Sequence, residues 1–225
     1  MVIQKEIIRL ENVSYTVRNG EQSLSILTNI SLEIKAGVTI AITGASGSGK
    51  TSLLNLMAGF ELPSMGKIFY NTQDITLLDE DRRAQLRARQ IGFIFQSFQL
   101  LPNLTALENI MLPLEIMHLE NSFAIARSWL DKVGLHRRAN HFPLQLSGGE
   151  QQRVAIARGF AISPSVLFAD EPTGNLDPQT SKTIIDLLFT LNEEHQTTLV
   201  IVTHDDNLAK RCQLHWPLVE GRLIC

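Results

Sequence analysis

Eight consecutive residues, Gly44-Ala45-Ser46-Gly47-Ser48-Gly49-Lys50-Thr51, carry the most legible chemistry of the chain. They fit the pattern G-x-x-x-x-G-K-[ST], which has meaning only when a strand precedes it and a helix follows. Here Val38-Thr39-Ile40-Ala41-Ile42-Thr43 is apolar and β-branched, and Ser52-Leu53-Leu54-Asn55-Leu56-Met57-Ala58 is helix-forming. Glycines let successive N–H groups turn inward as an anion nest, and the start of a helix adds its own free donors. Lys50 can reach β- and γ-phosphates, the Thr51 hydroxyl suits Mg²⁺, and Ser52 lies in the same first turn. The ligand that fits is a nucleoside triphosphate.

Two further stretches could act on the same phosphates. Val166-Leu167-Phe168-Ala169-Asp170-Glu171 is an apolar strand that ends in two carboxylates. Beside a P-loop, Asp170 suits Mg²⁺, usually through water, while Glu171 points elsewhere and can polarise an attacking water. Leu146-Ser147-Gly148-Gly149-Glu150-Gln151 precedes a helical run. Ser147 and Glu150 have capping-box spacing, common at ordinary helix starts. The adjacent Gly148 and Gly149 exceed what a cap needs, and bare N–H groups at a helix start make a second phosphate site. That second site is free to serve another chain's nucleotide.

These residues need a scaffold. With 225 residues, 44% of them hydrophobic, the chain can bury the core of one large domain or of a domain with a subdomain. Strand-like and helical runs alternate after residue 38, which predicts an α/β fold with a parallel central sheet. Ile91-Gly92-Phe93-Ile94-Phe95, Val166 to Ala169 and Leu199 to Val202 have the continuous apolarity of strands buried on both faces. Earlier, Ile7 to Leu10, Leu24 to Leu27 and Gly66 to Tyr70 read as shorter, half-exposed strands of an antiparallel layer, with a turn at Asn19-Gly20. From Gln96 to about Ala161 no convincing buried strand occurs. Helical spacing over Thr105–Leu119 and Ser122–Val133, with Gly134 as a stop, predicts a helical insertion.

Composition narrows the function. A formal charge of −3, from 20 basic and 23 acidic residues, gives no electrostatic case for nucleic acid, and none is expected as a partner. Two cysteines, Cys212 and Cys225, are too few for a zinc or disulfide framework, and a reducing cytosol fits best. Lys5, Glu6, Arg9 and Glu11 interrupt the first apolar stretch, so no secretion signal is expected. No apolar run approaches the ~20 residues of a membrane span, so a membrane role is expected only through a partner.

Taken together, GASGSGKT, LSGGEQQR, VLFADEPTGNLD and Val202-Thr203-His204-Asp205 resemble the ATP-binding subunit of an ABC transporter, from about residue 5 to the C-terminus. Phe95-Gln96-Ser97-Phe98, the stretch Leu100 to Asn109 and Thr173-Gly174-Asn175-Leu176-Asp177 resemble a narrower group. It holds the LolD ATPases of lipoprotein release, the MacB exporter ATPase domain and the YbbA-type ATPases, and the stretches Asp186 to Asn192 and His204 to Cys212 look most like the YbbA type.

The resemblance implies an ABC-type P-loop core with an N-terminal antiparallel β subdomain, over 1–96 and 161–225, and a helical signature subdomain over 97–160. It implies ATP with Mg²⁺, and two copies closed head to tail as a homodimer. Gln96 would touch Mg²⁺ and the attacking water. Ser147 and Gly149 would contact the γ-phosphate held by the opposite subunit, Asp177 would reach across the dimer, and His204 would contact the γ-phosphate. Gln96 and His204, with Glu171 and Lys50, form the catalytic set, while Ser147, Gly148, Gly149 and Asp177 belong to nucleotide binding. The partner implied is an integral-membrane permease with a large extracytoplasmic domain, at the cytoplasmic face of the bacterial inner membrane. Lipids, lipoproteins or other hydrophobic envelope substrates are the implied cargo. The family's adenine-stacking Tyr falls on Val17 here, while Tyr15 lies two residues earlier, ~7 Å away in a strand; either can contact the base. ABC ATPases acting on DNA or ribosomes carry coiled coils or paired cassettes. Here Lys50 to Asp170 spans 120 residues without a heptad tract, and the guanine-reading Asn-Lys-x-Asp of GTPases is absent.

Overall fold

The structure, a computed structural model, describes residues 5–20 and 22–224. Its elements run β1 (Glu6–Asn19), β2 (Gln22–Lys35), β3 (Thr39–Thr43), α1 (Lys50–Met57), β4 (Met65–Tyr70), β5 (Gln73–Asp74), α2 (Glu80–Gln90) and β6 (Ile91–Ile94). They continue with α3 (Ala106–Ile116), α4 (Ser122–Lys132), α5 (Gly148–Ala161), β7 (Val166–Asp170), α6 (Pro178–His195), β8 (Thr198–Val202), α7 (Asp206–Ala209), β9 (Leu214–Val219) and β10 (Arg222–Leu223). The chain forms two compact units, Met1–Arg87 with Thr198–Cys225, and Ala88–Thr197.

In the first unit, β3 lies between β8 and β9, parallel to both, and β10 closes an antiparallel hairpin on β9. Both β8 and most of β3 are buried, as their unbroken apolar sequence requires. Leu53, Leu54, Leu56 and Met57 of α1 are wholly buried. A separate antiparallel sheet has the order β2-β1-β4-β5. Its first two strands are 14 residues each, longer than the short strands expected from sequence. The reason is irregularity: Asn12 and Asn29 take left-handed φ values of 50° and 51°. Their amides donate to Ser31 Oγ and Ser14 Oγ, both at 2.9 Å, so the sheet continues through interrupted alternation.

In the second unit, β6 and β7 run parallel, with Ile91 opposite Val166 and Ile94 opposite Ala169. The predicted helical stretch supplies α3, α4 and α5, which pack on one another. Trp129 of α4 stacks on Phe160 of α5 with ring centroids 5.8 Å apart. Thr105 and Glu108 make a reciprocal capping box at the start of α3, and Gly134 follows α4 with φ of +71°. No described helix is long and apolar enough to cross a membrane.

Candidate functional site

Strand β3 delivers the chain to the P-loop at its C-terminal end. Gly49 is the N-cap of α1 at φ 98°, and a Cβ there would lie 2.9 Å from Leu27 Cδ2 and 3.0 Å from Ile26 O. Only glycine fits both the dihedral and the space. Having no side chain, Gly49 makes no side-chain cap bond to the first turn of α1, the geometry in which a helix start can receive an anion. Ala45, Ser46 and Gly47 are exposed at the rim, and Thr51 is exposed beside them. Lys50 is buried, and its Nζ donates to the carbonyls of Gly44 at 2.8 Å and Ala45 at 2.9 Å. Ser48 Oγ is buried with no hydrogen-bond partner among the described residues.

That arrangement fits a polyphosphate: a helix start without a side-chain cap, a cation folded onto the loop, and a buried hydroxyl with no hydrogen-bond partner among the described residues. For Mg²⁺ the donor set also fits in kind. No cluster of three or more His, Cys, Asp or Glu able to hold a metal exists among the described residues. Mg²⁺ keeps several waters and binds through one or two protein oxygens plus phosphate oxygens, and the exposed Thr51 hydroxyl is an oxygen of that kind beside the P-loop.

His204 also belongs to the first unit. Ile42 of β3 stands opposite Val202 of β8, so His204 and Gly44 each lie two residues past the same register position. The loop carrying His204 is braced on both sides, because Thr203 N donates to Ile42 O at 3.1 Å and Asp205 caps α7 through Asn207 N at 2.8 Å. The His204 ring is left exposed.

The base-contact candidates sit on β1. Val17 is 41% exposed, opposite Leu24. Tyr15 lies opposite Leu27, the residue that touches Gly49. Its hydroxyl is committed to Glu61: that hydrogen bond first, then burial, pushes the phenol up to about 12. Val17 is therefore the more available of the two for a base.

The second unit holds the remaining residues. Gln96 lies two past Ile94 on β6, and Asp170 and Glu171 follow Ala169, the partner of Ile94, on β7. Their strands thus end at one edge. Asp170 and Glu171 are half-buried, and Glu171 takes a left-handed φ of 46° immediately before Pro172. Strained backbone of this kind collects at functional positions. Gln96 is held from the loop after β7: Asn175 Nδ2 donates to Gln96 O at 2.9 Å, and Gln96 Nε2 lies against Gly174, 2.9 Å from where a Cβ would stand.

Ser147 is the N-cap of α5 in a complete capping box with Glu150. The Ser147 amide, more than its hydroxyl or Arg138, holds the Glu150 carboxyl below its ordinary range. Ser147, Gly148, Gly149 and Asp177 line one open cleft of about 370 Å³, with Arg153 and Thr180. Asp177 has a role that the sequence reading did not include. It is the N-cap of α6, accepting from Gln179 N at 3.1 Å and Thr180 N at 3.0 Å, with Pro178 at N1. Hydrogen bonds from Thr180, side chain foremost, lower its pKa. The Asp-Pro step was the available signal.

A family model described as ABC transporter matches residues 27–174. The ABC transporter ATP-binding protein YbbA of Escherichia coli (strain K12) is 50% identical over 222 residues, 97% of each chain. The lipoprotein-releasing system ATP-binding protein LolD of Francisella tularensis (strain FSC 198) is 43% identical over 220 residues, 96% of this chain and 95% of that one. Among solved structures, the dimeric, ADP- and Pi-bound post-hydrolysis state of the ATP-binding cassette MJ0796 superposes with a TM-score of 0.90 at 41% identity, over 97% of each chain. Clostridium perfringens cbiO1, part of the ABC transporter complex cbiONQ, gives 0.86 at 29% identity, over 99% of this chain and 88% of that one. With its P-loop cradle and signature helix, the chain belongs to the ABC transporter family as an ATP-binding, ATP-hydrolysing subunit.

Proposed function

We propose that two copies of this chain close head to tail around two MgATP and that their cycle drives an integral-membrane permease. The reading extends the family assignment and is supported by the dimeric state of the similar cassette MJ0796. The P-loop amides and Lys50 hold the phosphates, with Thr51, Asp170 and Gln96 as the residues for Mg²⁺. Bound there, Mg²⁺ would neutralise charge on the β- and γ-phosphate oxygens. Glu171 accepts a proton from, or orients, the attacking water, and His204 donates toward the γ-phosphate. Ser147 and Gly149 of one copy face the other copy's nucleotide, beside Asp177. Residues 97–160 act as the signature subdomain and the remainder as the nucleotide-binding core.

The permease, with a large extracytoplasmic domain, would place this subunit at the cytoplasmic face of the bacterial inner membrane. Lipoproteins, lipids or other hydrophobic envelope molecules are the proposed cargo, supported by the name of the LolD relative and resting on family analogy. The observation that carries the proposal is the P-loop cradle, where Gly49 starts α1 in left-handed backbone without a side-chain cap, beside a buried lysine and a buried Ser48 hydroxyl that has no hydrogen-bond partner among the described residues.

Glu171→Gln tests it. The phosphate cradle stays intact while the water loses its base, so the variant should bind ATP, release phosphate barely, and elute from size exclusion as a dimer only with ATP. A monomer in both conditions, or undiminished phosphate release, would overturn the assigned role.

A further inference from the structure

Immediately after Gln96 the backbone does something costly. Phe98 and Gln99, neither of them glycine, take consecutive left-handed φ values of 61° and 46°. Each such residue is disfavoured for an L side chain, and two in succession persist only when surrounding contacts over-determine them. The local bonds, Phe98 N to Phe95 O at 3.1 Å and Gln99 N to Ser97 O at 2.6 Å, form a tight turn but do not hold it from outside.

The outside hold comes from the signature helix. Arg158, in the third turn of α5, donates from one terminal nitrogen to Phe98 O at 2.9 Å and from the other to Gln99 O at 2.7 Å. A guanidinium fork reaches two adjacent carbonyls with two separate nitrogens held rigidly in one plane. Among the described residues Arg158 makes no ion pair, so this half-buried cation is compensated by carbonyl oxygens rather than by a carboxylate. At the other end of the same helix, the Phe98 ring reaches Gly148, with its Cζ 3.7 Å from where a Cβ would stand. The turn after Gln96 is thus pinned to α5 at two points, one beside the signature glycines.

We propose that Arg158 is a positioning residue for hydrolysis: its fork locks the Phe98–Gln99 turn and so holds Gln96 in a fixed relation to the signature helix. Gln96 is then clamped from both sides, by Asn175 on its own carbonyl and by Arg158 two and three residues downstream. A movement of α5 pulls on the turn and is felt at Gln96. The inference rests on the role proposed above for Gln96, and the experiment separates the two.

Arg158→Lys keeps the charge but replaces two donor nitrogens on a rigid planar fork by one ammonium on a shorter stem, so at least one of the two hydrogen bonds is lost or lengthened. Steady-state ATPase kinetics should show kcat down about tenfold, the effect of one charge-assisted hydrogen bond, with KM for ATP within about twofold. Amide exchange should rise at residues 97–101 and stay unchanged along α5. Adding Gln99→Gly, which adopts the left-handed turn without strain, should recover part of the lost kcat. In a Gln96→Ala background Arg158→Lys should cost nothing further. An equal loss of kcat in both backgrounds, or unchanged exchange at 97–101, overturns the clamp. A silent Gln96→Ala single variant instead overturns the role of Gln96, while the exchange measurement still decides whether the fork holds the turn.

Discussion

The P-loop permits a graded test, because two of its glycines sit in left-handed backbone for different reasons. Gly47 has φ +79° and no described atom within 4 Å of an added Cβ, whereas Gly49 has φ +98° and a neighbouring strand in the way. Gly47→Ala therefore bears only the conformational penalty, about 1–2 kcal/mol. Gly49→Ala bears that and the crowding against Leu27 and Ile26 O; overpacking adds about 1–3 kcal/mol, for a total of about 2–5 kcal/mol. At about 2–4 °C per kcal/mol for a chain of this size, the melting temperature should fall by ~2–8 °C and ~4–20 °C respectively. Nucleotide affinity should separate them further. The Gly47 variant can relieve its strain outward and keep the cradle, within about threefold of the native ATP affinity, while displacing Gly49 moves the start of α1 and should cost more than about tenfold. The assays are a thermal melt and equilibrium ATP binding on both variants in one buffer. Equal losses in the two, or native affinity in Gly49→Ala, would refute the claim that the cap geometry of Gly49 builds the phosphate site.

Ser147→Arg should abolish hydrolysis while the monomer still binds ATP, since the bulky cation fills the cleft at the start of α5, which in the proposed dimer serves the other copy; normal turnover would sink the trans arrangement. Aromatic stacking on a base is worth about 1–3 kcal/mol, and Val17 offers only an apolar contact, so GTP should compete within about tenfold of ATP and Val17→Tyr should tighten both. Tyr15→Ala should lower stability with little change in ATP affinity, because the Tyr15 hydroxyl is held by Glu61; a large loss of affinity would place the base contact on Tyr15. Folding lifts this phenol from 10.0 to about 12, so its contribution to stability is complete below pH 10 and fades as pH rises through about 12. A pH series of melts on native and Tyr15→Phe protein should therefore converge above that range.

Much of this fold is local and was open to reading from sequence. The strand, Gly-rich loop and helix around residues 38–58 need only short-range propensities and one dihedral requirement, and the structure has β3, the loop and α1 in that order. The buried strands announced themselves through continuous apolar runs such as Val166 to Ala169 and Leu199 to Val202, all of them buried. The β1–β2 pair was underestimated where Asn12 and Asn29 interrupt the alternation, since the bonds that bridge them come from Ser31 and Ser14 on the opposite strand. A period-2 search cannot see such repairs.

What could not be read lies in the second unit, and the reason is distance along the chain. Nothing about a Phe-Gln pair announces left-handed backbone; its cause is Arg158, some 60 residues away on α5. The same holds for Gln96, whose carbonyl is held by Asn175, 79 residues on. Glu171 is the mixed case. Its type and position after an apolar strand mark it as an acid for water, but its φ of 46° before Pro172 belongs to a loop closed by Gly174 N on Glu171 O at 3.0 Å. Residue type therefore states which group is available, while long-range hydrogen bonds decide how it is aimed. In the P-loop the two coincide within eight residues. Around Gln96 and Glu171 they come apart, and substitutions at the distant anchors Asn175 and Arg158 should alter catalysis without touching any group that meets the nucleotide.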